Sequence, residues 1–91
     1  MTREEFCDRA KEIITVDRNN QYGEPEDSFQ TIAELWTAFF GLKFTKEDVA
    51  IMMILMKVAR MKHQMKADSI IDVIGYAALC GELSGVEEMS K

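Results

Sequence analysis

The chain is poor in the residues that staple small folds or interrupt helices: 91 residues contain two cysteines, one proline and five glycines. Two thiols, Cys7 and Cys80, are too few for a disulfide scaffold and lack zinc-ligand spacing, so a reducing compartment is expected. No strictly apolar run exceeds the eight residues 49–56, far short of a membrane span. The first residues, Met-Thr-Arg-Glu-Glu, are polar and acidic and do not read as a signal peptide. Excess positive charge is missing as well. Eleven Lys and Arg face sixteen Asp and Glu, net −5, which disfavours a protein that wraps duplex nucleic acid. There is no glycine-rich phosphate loop, no HExxH helix and no paired Cys/His nucleophile, so the common hydrolase and kinase chemistries are excluded. The expectation is a cytoplasmic, single-domain protein over residues 1–91, with 47% hydrophobic residues to build a core.

What is present is charge in blocks. Residues 1–48 carry net −5, residues 49–67 net +4 with no acid at all, and residues 68–91 net −4. A basic segment between acidic ones reads either as packing of complementary helices or as an anion site bordered by carboxylates.

Periodicity predicts four helices, over about 3–16, 25–40, 46–65 and 69–83, joined by short connections as in an antiparallel bundle. Thr2 with Glu5 makes a capping box for the first, whose stripe is Phe6, Ala10, Ile13 and Ile14. The thiols of Cys7 and Cys80 fall among these apolar positions and read as buried. The polar loop 17–26 holds Asn, Gly and Pro. Pro25 suits the first turn of the second helix, whose stripe is Phe29, Ile32, Ala33, Trp36 and Phe40, with Gly41 at its end. Thr45 with Asp48 opens the third helix, about 30 Å long at 1.5 Å per residue. Asp68 or Ser69 is expected to cap the fourth, with Gly85 beyond it. Residues 49–56 are apolar on every side, which predicts burial of both faces of the third helix and hence a homo-oligomer, a dimer or higher, pairing through it, the central core helix of a monomer being the alternative. Its methionines suit an adaptable packing surface.

Chemistry is expected where polar groups interrupt these apolar helices. Lys57 and Arg60 follow directly on the most apolar stretch; they either reach out to solvent or hold an anion. Asp72 stands among Ile70, Ile71, Val73 and Ile74, with Asp68 one turn earlier on the same face. Two carboxylates at this spacing can share a divalent cation, or serve as a cap and a salt-bridge partner of Lys57 or Arg60. Glu34 shares its face with Asp27 and Thr31 and is a weaker candidate; His63 reads as an ordinary surface residue. In the loop, Arg18 is a candidate phosphate contact and Tyr22 a candidate base-stacking residue, an exposed turn tyrosine being the alternative.

Several segments together carry a resemblance. They are Asp17-Arg18 with Tyr22-Gly23-Glu24-Pro25-Glu26-Asp27-Ser28-Phe29, then Ile32-Ala33-Glu34-Leu35-Trp36. They continue with Glu47-Asp48-Val49-Ala50 through Lys57-Val58-Ala59-Arg60 and end on Asp68-Ser69-Ile70-Ile71-Asp72-Val73-Ile74-Gly75-Tyr76-Ala77-Ala78. Over residues 15–83 the chain resembles a family of small phage and prophage proteins of largely uncharacterised role. More distantly it is similar to the MazG-like all-α nucleoside triphosphate pyrophosphohydrolases. The resemblance implies a helical, usually dimeric protein that binds a nucleotide or other phosphorylated small molecule, within a bacterial host cell. It implies Mg²⁺ as cofactor, with Asp68 and Asp72 as catalytic and metal-binding residues, Glu34 as a further metal ligand, and Lys57 and Arg60 on phosphates. The first acidic pair of the MazG-like motif is not matched: the third helix has Glu47 and Asp48 at its start, then Ile51, Met52 and Leu55. Fewer acids imply weaker metal binding and a poorly activated water. Three readings follow: a Mg²⁺-dependent pyrophosphohydrolase, a nucleotide-sequestering protein without catalysis, and a helical module that binds or inhibits a host protein.

Overall fold

The structure, a computed structural model, describes residues 1–17, 20 and 23–87. Among them are four α-helices and no strand: α1 (Arg3–Glu12), α2 (Pro25–Phe40), α3 (Lys46–His63) and α4 (Ala67–Ser84). The expected starts and stops are largely where local chemistry puts them. Both capping boxes form, Thr2 with Glu5 on α1 and Thr45 with Asp48 on α3. The Thr2 backbone N–H and then its hydroxyl hold the Glu5 carboxyl below the usual glutamate range. Pro25 opens α2, and the glycines Gly41 and Gly85 take left-handed conformations just past α2 and α4. Glu26 on α2 accepts from the Lys46 ammonium at the start of α3, which raises the lysine above its ordinary value.

Three boundaries differ from expectation. The first helix does not stay α-helical to Val16; after Glu12 it widens into a π-turn over Ile13–Asp17. Ile13, Ile14, Thr15 and Val16 are four consecutive β-branched residues, which crowd an α-turn, and the Thr15 hydroxyl donates to the Lys11 carbonyl at 2.7 Å. The third helix ends at His63, because Gln64 is extended and turns the chain into a three-residue link. The fourth starts earlier than expected, and its N-cap is Lys66, with neither Asp68 nor Ser69 in that role. No side chain caps it.

The hub of the fold is α4, which packs on α1, on α3 and more lightly on α2, while α2 also packs on α3. Phe29, Ala33, Val49, Ala50, Leu79 and Leu83 form the buried core, with Ile14, Ile32, Trp36, Phe44 and Tyr76 against it. Phe40 is exposed, contrary to expectation; Phe44 from the link after α2 takes the inner place, edge-on to Trp36 at 5.8 Å. Cys7 is exposed too, since it lies one position off the Phe6 and Ala10 stripe, whereas Cys80 is half-buried. Residues 49–56 are not buried on both faces of the single chain. Val49 and Ala50 face the core, but Ile51, Met52, Leu55 and Met56 are exposed. The radius of gyration, 14.0 Å, exceeds the roughly 12 Å of a closely packed domain of this length, in keeping with an arrangement that leaves space between helices.

The approach of the π-turn to α4 depends on Gly75. A Cβ at this position would lie 2.9 Å from Ile14 Cγ2, whereas one at Gly81 meets nothing within 4 Å. Both residues lie in the interior of α4, where alanine is intrinsically favoured by up to about 1 kcal/mol. Gly81→Ala is therefore expected to raise stability in a urea melt. Gly75→Ala is expected to lower it by about 1–3 kcal/mol, because the branched Ile14 side chain has to move. Equal effects of the two substitutions would refute this close packing.

Candidate functional site

Two cavities meet on the face shared by α3 and α4. The first, about 560 Å³, lies where α1 and its π-turn stand away from α2 and α3. Its walls include the apolar side chains of Ile14, Ile32, Met53, Ile71 and Leu79, with Tyr76 as the aromatic side chain and Asp17 at the π-turn. The second, about 710 Å³, lies at the link between α3 and α4 and has a different character. Arg60, His63 and Lys66 line it, together with Asp68, Ser69 and the side of Met56. Lys57 and Asp72 line both cavities and so form the partition between them.

Each side chain owes its place to helical spacing. Lys57 lies one turn beyond Met53 on the inner face of α3, and Arg60 one turn further on the outer rim. On α4, Asp68, Asp72 and Tyr76 succeed one another at intervals of four, which carries a single stripe from the basic cavity to the apolar one. The Lys57 ammonium meets the Asp72 carboxylate at 2.9 Å, with side chains 14% and 32% exposed. Half-burial favours this contact, since a lysine held among Met53 and Ile71 would otherwise lack a counter-charge.

Of the residues singled out from the sequence, Lys57, Arg60, Asp68 and Asp72 are brought together. Glu34 is not. It is exposed on α2, accepts a hydrogen bond from Gln30 at 3.2 Å, and lines neither cavity, because its face is the outer one it shares with Asp27 and Thr31. Arg18 and Tyr22 lie outside the described residues. The expected Mg²⁺ set is thus reduced to two carboxylates, and Asp72 already belongs to Lys57. Among the described residues no three His, Cys, Asp or Glu side chains gather as a metal site. Asp68 and one oxygen of Asp72 are thus the carboxylate donors left in the cavity, the other oxygen of Asp72 being taken by Lys57.

Four lining residues are not site candidates from the sequence: Lys66 and Tyr76, which it does not single out, His63, which reads as a surface residue, and Ser69, which reads as a possible helix cap. The stripe from Asp68 through Asp72 leads to Tyr76 by its period alone, so that signal was present. Lys66 and Ser69 join the site only because the turn after His63 folds α4 back on α3.

The helical segments that line these cavities lie within the region that known proteins match. Residues 5–84 match the family model described as a domain of unknown function, DUF6378. The chain is 41% identical over 81 residues to the Gene 55 protein of Mycobacterium phage L5, covering 87% of this chain and 52% of that protein. It is 39% identical over 75 residues to the Gene 55 protein of Mycobacterium phage D29, covering 81% of this chain and 50% of that one. The chain therefore spans about half the length of these curated relatives. No solved structure matches it. Both cavities fall within the matched region, and the chain belongs to the DUF6378 family, with phage proteins among its relatives.

Proposed function

We propose that the chain binds a nucleotide across the two cavities and does not hydrolyse it. The observation that carries this reading is the junction of an apolar, tyrosine-bearing cavity with a basic one at Lys57 and Asp72. A nucleoside has an apolar, stackable base and a polar sugar; its phosphates need cations. Two cavities that share Lys57 and Asp72 as lining offer both side by side. The distant resemblance to MazG-like proteins supports the same ligand class. The chemistry of those enzymes is not carried over, because the acids needed to activate water are too few. A sequestering role for a phosphorylated small molecule follows.

The test is a thermal-shift screen of the whole chain against nucleoside mono-, di- and triphosphates and cyclic dinucleotides, with and without Mg²⁺. A ligand at a hundred times its Kd stabilises by about 2.7 kcal/mol, several degrees in a domain of this size. The expected result is a rise with at least one nucleotide, independent of Mg²⁺, accompanied by no release of pyrophosphate and diminished in Arg60→Ala. Silence across the panel would refute nucleotide binding; turnover that requires Mg²⁺ would restore the pyrophosphohydrolase reading.

Self-association through α3 is the second part of the proposal. Ile51, Leu55 and Val58 recur at helical spacing on its outward side and are exposed, beside Met52. A second copy of the chain would cover this stripe. Leu55, 60% exposed, makes no part of the monomer core, so Leu55→Glu is expected to halve the mass seen by light scattering while the helix content by circular dichroism is kept. A wild-type chain already monomeric at high micromolar concentration would defeat the idea.

A further inference from the structure

The 560 Å³ cavity has four polar side chains in its wall, Asp17, Lys57, Asp72 and Tyr76, and two of them are carboxylates. Ala10, Ile13, Ile14 and Asp17 succeed one another at spacings of three and four along α1 and its π-turn, and all four line this cavity. A carboxylate thus stands where the core stripe of the first helix would continue. Gly75 lets Ile14 come close to α4, which seats the turn that carries Asp17. The Arg9 guanidinium lies 3.6 Å from one Asp17 oxygen, an ion pair longer than a good hydrogen bond. Among the described residues no hydrogen bond is made to the Asp17 carboxylate, so both oxygens are left to accept. Lys57, by contrast, is met by Asp72.

The two carboxylates differ in place. Asp72 borders both cavities, whereas Asp17 lines the 560 Å³ cavity and not the basic one. Two acids against one lysine turn a phosphate away from this side. A nucleotide therefore enters base first, its phosphates staying among Arg60, His63 and Lys66. From that end the ligand passes Asp72 at the level of the sugar and meets Asp17 at the level of the base.

We propose that the base is guanine and that Asp17 selects it, an inference that rests on the nucleotide reading above. An ionised carboxylate only accepts, through two oxygens side by side. Guanine is the common base with two adjacent donors on one edge, its ring N1–H and its 2-amino group. Against a carboxylate these make two parallel charge-assisted bonds, the geometry a guanidinium uses. Adenine and cytosine place an acceptor beside their amino group, and uracil flanks its N–H with carbonyls. Each of these would turn a lone pair toward an Asp17 oxygen.

The experiment is an amide ¹H–¹⁵N titration of the whole chain with GDP, IDP, ADP, CDP and UDP, dissociation constants being read from the Met53 and Tyr76 resonances. GDP is expected to bind about tenfold more tightly than IDP, which lacks the 2-amino group, and more tightly still than the other three. Asp17→Asn adds a readout that a merely structural role would not move. Its amide oxygen still accepts from N1–H, but its NH₂ group confronts the 2-amino group of guanine, where xanthine has a carbonyl. D17N is therefore expected to lose the preference for GDP and to bind the xanthine nucleotide XDP about tenfold more tightly than GDP. The wild-type series needs no variant and stays decisive should Asp17→Asn disturb the π-turn. Equal binding of GDP, ADP, CDP and UDP would overturn guanine selection while sparing the nucleotide reading. A GDP preference that D17N leaves unchanged would overturn the role of Asp17. Silence with every nucleotide would refute the nucleotide reading itself, and the selection with it.

Discussion

Phe29→Ala is expected to cost about 3–5 kcal/mol, the largest effect of any single truncation in this fold. A 91-residue domain has roughly 5–14 kcal/mol in hand, so the variant should approach the edge of folding at ambient temperature. Phe29 is fully buried and belongs to the cluster in which α2 supplies Ala33, α3 supplies Val49 and Ala50, and α4 supplies Leu79 and Leu83. Its ring also lies 6.3 Å from that of Tyr76. Contact between α2 and α4 is otherwise slight, so this side chain ties them together and the space it leaves cannot easily be refilled. Phe39→Ala is the control: that ring is 80% exposed, and its loss should move stability by no more than about 0.5 kcal/mol. Urea melts of the two variants decide the matter. Similar midpoints for both would mean the core is not organised around Phe29. Because Tyr76 rests on Phe29 and lines the apolar cavity, the same substitution should also weaken nucleotide binding in whatever fraction remains folded.

The second large effect concerns the ion pair between the cavities, and it is asymmetric. Asp72→Ala leaves the Lys57 ammonium, 14% exposed, without its counter-charge; breaking a pair this deeply placed costs about 2–4 kcal/mol. Lys57→Met removes the more buried charge and leaves Asp72, 32% exposed, able to turn to water, for a smaller loss of about 1–2 kcal/mol. Removing both charges together, as Lys57→Met with Asp72→Leu, should be milder than Asp72→Ala alone, since no charge is stranded. The order of the three urea midpoints is the measurement. If Asp72→Ala proves the mildest, the pair is a solvent-screened surface contact and cannot act as a firm partition. Ligand binding should fall in all three, because the partition holds the two cavities in register.

The helices are legible in the amino-acid sequence because their signals are local. A threonine three residues before an acid, a proline in a first turn and a glycine after the last turn act through bonds within one turn of chain. Hence Thr2, Thr45, Pro25, Gly41 and Gly85 mark their boundaries correctly. The π-turn is not legible, because it depends on a crowded β-branched run being drawn onto Gly75, sixty-one residues beyond Ile14 in the chain. Lys57, Arg60, Asp68 and Asp72 stand out by charge among apolar neighbours, and they do share a cavity. Glu34 stands out in the same way and lies elsewhere, since a lone charge on a helix does not say which neighbour that helix will face.

Composition and periodicity alone therefore suffice for an all-helical chain, the caps that bound most of its helices, and a stripe of functional groups at a period of four. The charge blocks of −5, +4 and −4 already set a basic segment beside an acidic one. That Asp72 pairs with Lys57 follows instead from how α3 and α4 pack. The same packing brings the uncapped start of the fourth helix beside Arg60 and Ser69. The physical reason is range: capping and periodicity act over one helical turn, whereas cavities and charge pairs arise where two separate helices happen to meet.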